Sequence, residues 1–204
     1  MNSSSSNSSV DPSNRIVNVP NFLSTLRLVL AVAVGVLIEF QAFFEAMWIF
    51  IFAASTDFVD GYWARRFNQI TKLGRVLDPF VDKIIISASM IALVAYPESC
   101  IRPWMVTVII GRELLVTSLR SMVEGKGGDF SARWLGKWKM LAQCSAVVAS
   151  LLLLGNPNVA WLYWTTQLLV WIAVILTIAS GADYVRQIVV LGRSKSAAIP
   201  PSLN

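Results

Sequence analysis

Ser55-Thr56-Asp57-Phe58-Val59-Asp60-Gly61-Tyr62-Trp63-Ala64-Arg65 closes one long apolar run of the chain, and Asp78-Pro79-Phe80-Val81-Asp82-Lys83 opens the next. Asp57, Asp60 and Ala64 follow one another at i, i+3 and i+7, a spacing that puts them on one face of a helix. Asp78 and Asp82, at i and i+4, share a face of the following helix. Pro79 fits the first turn of that helix, with Asp78 as its N-cap. The expectation is two helices that bring four carboxylates together, with Gly74 permitting a tight turn in the short segment 67–77 so that the second helix folds back on the first.

Outward from this segment the chain is apolar. Of its 204 residues 55% are hydrophobic and 14% are charged, and the mean hydropathy is +0.61. Charged residues make up about a quarter of an ordinary soluble domain, so this composition belongs to the membrane class. A spanning helix needs about 20 mostly apolar residues, and six stretches qualify, at 18–39, 45–66, 79–96, 103–124, 135–155 and 160–186. The predicted fold is all-α, an integral membrane bundle of six transmembrane helices occupying residues 16–190. Residues 1–15, rich in serine and asparagine, read as a disordered polar tail that cannot bury a core, and residues 191–204 as a C-terminal tail.

The basic residues orient the bundle. Arg15 precedes the first stretch, Arg65, Arg66, Lys72 and Arg75 lie between the second and third, Lys126 and Arg133 between the fourth and fifth, and Arg193 and Lys195 beyond the sixth. On the other side stands Arg102. The positive-inside rule therefore places both termini, and the acid-bearing helix ends, on the cytoplasmic side. The net charge of +5 fits loops facing anionic headgroups better than a nucleic-acid partner.

Histidine is absent and the two cysteines, Cys100 and Cys144, form no framework, so polar chemistry falls to carboxylates, lysines, arginines and hydroxyls. Each carboxylate near the centre of a spanning helix costs on the order of 2.5–3.5 kcal/mol, and mutual repulsion adds to that. A hard divalent cation such as Mg²⁺ or Mn²⁺ prefers oxygen ligands and offsets both costs. Gly61 and Ala64 leave room for a nucleotide to approach the backbone, and Arg65 can contact phosphate oxygens. Any one of these acids could instead end or cap a helix, but four of them together with those small residues point to a site.

Read as one string, Asp57-x2-Asp60-Gly61-x2-Ala64-Arg65-x8-Gly74-x3-Asp78-x3-Asp82 resembles the signature of the CDP-alcohol phosphatidyltransferase family at all eight fixed positions and every spacing. The resemblance implies a six-helix domain with a cytoplasmic site. It implies that Asp57, Asp60 and Asp78 bind Mg²⁺ or Mn²⁺, with Asp82 at the edge of the metal site and acting as general base. It also implies that Asn21, Asp57, Asp60, Gly61, Ala64, Arg65, Gly74 and Asp78 contact the cytidine diphosphate of CDP-diacylglycerol. A homodimer, in a bacterial inner membrane, is a further implication.

The flanking sequence bears on the acceptor. Asn18-Val19-Pro20-Asn21-Phe22-Leu23-Ser24-Thr25-Leu26-Arg27, then Gly111-Arg112-Glu113 and Leu135-Gly136-Lys137-Trp138-Lys139-Met140, are similar to the bacterial branch of the family that uses sn-glycerol 3-phosphate and forms phosphatidylglycerophosphate. Arg112 stands inside an apolar helix, where an ion is functional by default. With Lys137, Arg120, Arg27 and Lys139 it could hold an acceptor phosphate. Arg112 pairing with Glu113, and Lys139 snorkelling to lipid headgroups, are the alternatives. Other acceptors (an inositol phosphate, serine or phosphatidylglycerol) would keep the same aspartates, and a divalent-cation transporter is the reading from another class.

Overall fold

A computed structural model describes residues 19–67, 72–124 and 133–197, with side-chain surroundings for 25–56, 83–119 and 136–186. The apolar stretches become six α-helices: α1 Val19–Glu39, α2 Phe43–Phe67, α3 Lys72–Leu93, α4 Pro103–Glu124, α5 Arg133–Gly155 and α6 Ala160–Ala197. No strand occurs among the described residues.

Two helices differ from the sequence expectation. Helix α3 begins at Lys72, so Asp78 is no N-cap, Pro79 is not in the first turn, and Gly74 lies within the helix rather than at a turn. The apolar positions explain this: Leu73, Val76, Leu77, Phe80, Val81 and Ile84 continue a three–four spacing through the proline. Proline costs one backbone hydrogen bond in a helix interior, a loss that helices in a packed membrane bundle tolerate. Helix α6 runs 38 residues, so residues 191–197, expected in a tail, are helical.

Helix α1 packs mainly on α3 and α2, α5 on α6 and α2, and α4 on α6 and α3. Their shared interior is filled by Val34, Ile38, Phe50, Met90, Leu93, Met105, Val147, Leu151 and Val174, each almost wholly buried. The connection between α3 and α4 is pinned by side chains. Tyr96 donates its phenol to the carbonyl of Ile38 at 2.8 Å and sets its ring edge-on to Phe43. Ser99, in a 3₁₀ turn over Pro97–Ser99, donates to the Leu93 carbonyl and accepts from the Ile101 amide. Ser150 of α5 closes the set by donating to the Ser99 carbonyl.

The outside of the bundle carries many large apolar side chains. Val29, Val32, Phe52, Trp161, Trp164, Leu168, Ile175 and Ile178 are all exposed. Gly136–Gly155 and Ala160–Arg186 are long and apolar enough to cross a membrane by length and composition. In the second of these only 33% of the apolar window is buried, so it is no core helix of a soluble protein. An outward apolar surface of this extent is a lipid or partner face.

Candidate active site

Helices α2 and α3 carry the aspartate motif around a link of four residues, 68–71. Asp57 lies ten residues before Phe67 and Asp82 ten after Lys72; Asp60 lies seven before and Asp78 six after. Counted from the same link, the four aspartate positions therefore fall at two matching depths, about 10 and 15 Å along their helices at 1.5 Å per residue. Gly61, Ala64 and Arg65 belong to α2 and Gly74 to α3. Asn21 is in the first turn of α1 and Arg120 near the end of α4. The side chains of all these residues lie outside the described part. Among the described residues no three Cys, Asp or Glu side chains converge.

What the described side chains do build is a buried ionic cluster where α4, α5 and α6 meet. Glu113 is the hub. Its Oε1 accepts from the Lys139 ammonium of α5 and lies 3.5 Å from Nη1 of its neighbour Arg112. Lys139 and Glu113 are each nearly buried. Arg112 crosses to α6, where its Nη2 donates to the Ser180 hydroxyl, while its Nε is buried with no hydrogen-bond partner. In an apolar helix an arginine can only be kept charged by such partners, because an uncompensated buried charge costs several kcal/mol.

One contact ties this cluster to the motif. Lys83, the residue after Asp82, donates to the Thr117 hydroxyl of α4, and Thr117 in turn donates to the Glu113 carbonyl at 2.7 Å. Thr117 stands five residues beyond Arg112, about 7.5 Å along α4. Through Thr117, Lys83 is thus linked to the stretch of α4 that carries Arg112 and Glu113, where Lys139 also arrives.

Of the cations proposed from sequence, Arg112 and Lys139 come together at Glu113. Lys139 is engaged there rather than snorkelling to headgroups. Lys137, two residues earlier on α5, is exposed, and Arg27 of α1 is buried. Sequence reasoning passed over Lys83, Thr117 and Ser180. Lys83 could have been noticed as a cation next to Asp82, but Ser180 carries no signal of its own.

A helical bundle with an apolar outer surface, four aspartate positions on two consecutive helices and an ionic cluster at Glu113 has the make-up of a membrane enzyme. The sequence pattern of CDP-alcohol phosphatidyltransferases matches residues 17–179, and the chain belongs to that family. It is 44% identical over 136 residues to the CDP-diacylglycerol–glycerol-3-phosphate 3-phosphatidyltransferase of Bacillus subtilis, covering 67% of this chain and 69% of that one. It is 36% identical over 176 residues to the Escherichia coli protein of the same name, covering 82% and 92%. To that of Cereibacter sphaeroides it is 30% identical, covering 83% and 95%. The protein is thus a transferase of phospholipid biosynthesis.

Proposed function

We propose that this enzyme transfers the phosphatidyl group from CDP-diacylglycerol to sn-glycerol 3-phosphate, giving phosphatidylglycerophosphate and CMP. The observation that carries the choice of a phosphorylated acceptor is Arg112, whose Nε is buried without a hydrogen-bond partner, on the helix that Thr117 and Lys83 join to the helix that holds Asp82. An acceptor without a phosphate would leave the arginine without an anion to bind. The names of the relatives point the same way.

In this reading Asp82 takes the proton from a free hydroxyl of the acceptor, whose oxygen attacks the β-phosphorus of CDP-diacylglycerol. The bond from that phosphorus to the bridging oxygen breaks, and CMP leaves. Asn21, Gly61, Ala64, Arg65 and Gly74 hold the cytidine diphosphate, while Arg112, Lys137, Arg120 and Arg27 hold the acceptor phosphate. Lys139 serves it through Glu113. The oxygen-only donor set of Asp57, Asp60, Asp78 and Asp82, at matching depths in a chain without histidine, fits Mg²⁺ or Mn²⁺. Such an ion, when bound, supplies neutralisation of the pyrophosphate charge. All six helices span the inner membrane of a bacterium, with both termini and the site cytoplasmic, and the enzyme works as a homodimer.

The test is CMP release from CDP-diacylglycerol by purified enzyme. Release should require both sn-glycerol 3-phosphate and a divalent cation, stop with chelator, and fall by orders of magnitude in Asp82→Asn. Release with serine or an inositol phosphate in place of glycerol 3-phosphate would move the acceptor. Cation flux in proteoliposomes without any CMP release would replace the enzyme by a transporter.

A further inference from the structure

Arg112 reaches across to α6 at a place where α6 has almost no side chain. A Cβ built on Gly181 would lie 3.0 Å from Cγ of Arg112, 3.7 Å from its Nε and 4.0 Å from its Cδ. The stem of the arginine therefore lies directly on the glycine, and the preceding residue, Ser180, receives its Nη2. Ser180 is itself buried. From the other side Glu113 reaches Nη1, at the long distance of 3.5 Å.

We propose that Ser180 and Gly181 of α6 are positioning residues that seat the Arg112 guanidinium for the phosphate of the acceptor, so that α6 sets acceptor affinity. The inference rests on the reading of Arg112 as an acceptor-phosphate contact. An unanchored arginine side chain carries about 2 kcal/mol of rotamer entropy, which weakens any phosphate contact it makes. Here the stem is confined by the groove at Gly181 and the tip by the Ser180 hydroxyl. Nε is left buried and unpartnered, an arrangement that a native structure rarely keeps without a ligand to satisfy it. The hydrogens of Nη1 and Nη2 that Glu113 and Ser180 do not use are those left for phosphate oxygens.

Position 181 is sensitive because the close contact is with Cγ, near the root of the side chain. A methyl group there displaces the stem by a few tenths of an ångström, and the displacement grows along the side chain to the guanidinium. Misplacement by about 1 Å can cost up to a hundredfold in turnover.

The experiment compares wild-type, Gly181→Ala and Ser180→Ala enzymes, full-length and purified in detergent with CDP-diacylglycerol, and measures KM for each substrate and the thermal unfolding midpoint. We expect KM for sn-glycerol 3-phosphate to rise about tenfold in Gly181→Ala and severalfold in Ser180→Ala, with KM for CDP-diacylglycerol and the unfolding midpoint unchanged. Unchanged acceptor KM in both variants, or equal rises for both substrates with a lowered midpoint, would reduce Ser180 and Gly181 to packing and overturn the proposal. Should Gly181→Ala not fold, the Ser180→Ala split decides alone. Wild-type enzyme that releases no CMP with glycerol 3-phosphate defeats the functional reading itself, and the seat for an acceptor phosphate goes with it.

Discussion

Replacing Glu113 by alanine removes the carboxylate that Lys139 and Arg112 share and leaves two cations in an apolar interior. Breaking a buried pair by deleting one partner costs about 3–5 kcal/mol, most of it the stranded charge. Glu113→Ala should therefore unfold at a markedly lower temperature in detergent. Glu113→Ala/Lys139→Met, which strands one charge fewer, should recover a large part of the loss, and a double-mutant cycle measures the coupling. A second expectation concerns Cys100, in the connection between α3 and α4. Burial pushes its thiol pKa up, so less thiolate is present at any given pH. Alkylation of Cys100, followed by peptide mass spectrometry, should stay slow at neutral pH, and its half-maximal rate should lie at a higher pH than in the denatured chain. The pairing of Glu113 with Lys139 spans 26 positions, and the seat of Arg112 spans 68. An acid beside Arg112 was visible in the sequence, but which cation it would take depends on how α4 and α5 are placed against each other.

Helix identity was written plainly, because a run of about 20 apolar residues has few other ways to satisfy its backbone in lipid. Helix ends were less legible. Asp78 before Pro79 carries the chemistry of an N-terminus, yet the apolar stripe upstream of it starts α3 at Lys72 and draws both residues into the helix. Locally optimal capping gave way to the helix-long pattern. The connection between α3 and α4 offers a test of how the elements are locked. Tyr96→Phe deletes the hydroxyl that meets the Ile38 carbonyl at 2.8 Å while keeping the edge-on ring contact with Phe43. The expected loss is about 1 kcal/mol, read as a small fall in the unfolding midpoint. CMP release should be unchanged, because Tyr96 lies outside the motif helix ends.

Among the described residues many large apolar side chains face outward, while Arg112, Glu113 and Lys139 meet between α4, α5 and α6. Topology is open to a direct check by thiol labelling in spheroplasts, in a Cys100→Ser/Cys144→Ser background. A membrane-impermeant maleimide should react with Glu98→Cys in intact spheroplasts, since Glu98 is exposed in the connection assigned to the outer side. It should react with Asn204→Cys only after permeabilisation. The reverse pattern would invert the bundle and move the site to the outer face. The sequence by itself determined the six-helix class and the acid motif, because apolar length and residue spacing are local properties that survive any arrangement of the helices. It also placed the family and the positions of the four aspartates. Only the tertiary structure decided that Glu113 binds Lys139 as well as Arg112, that Lys83 ties the motif helix to α4, and that Gly181 leaves the space Arg112 fills. Each of these is a meeting of residues from different helices, fixed by packing geometry that no single stretch of chain encodes.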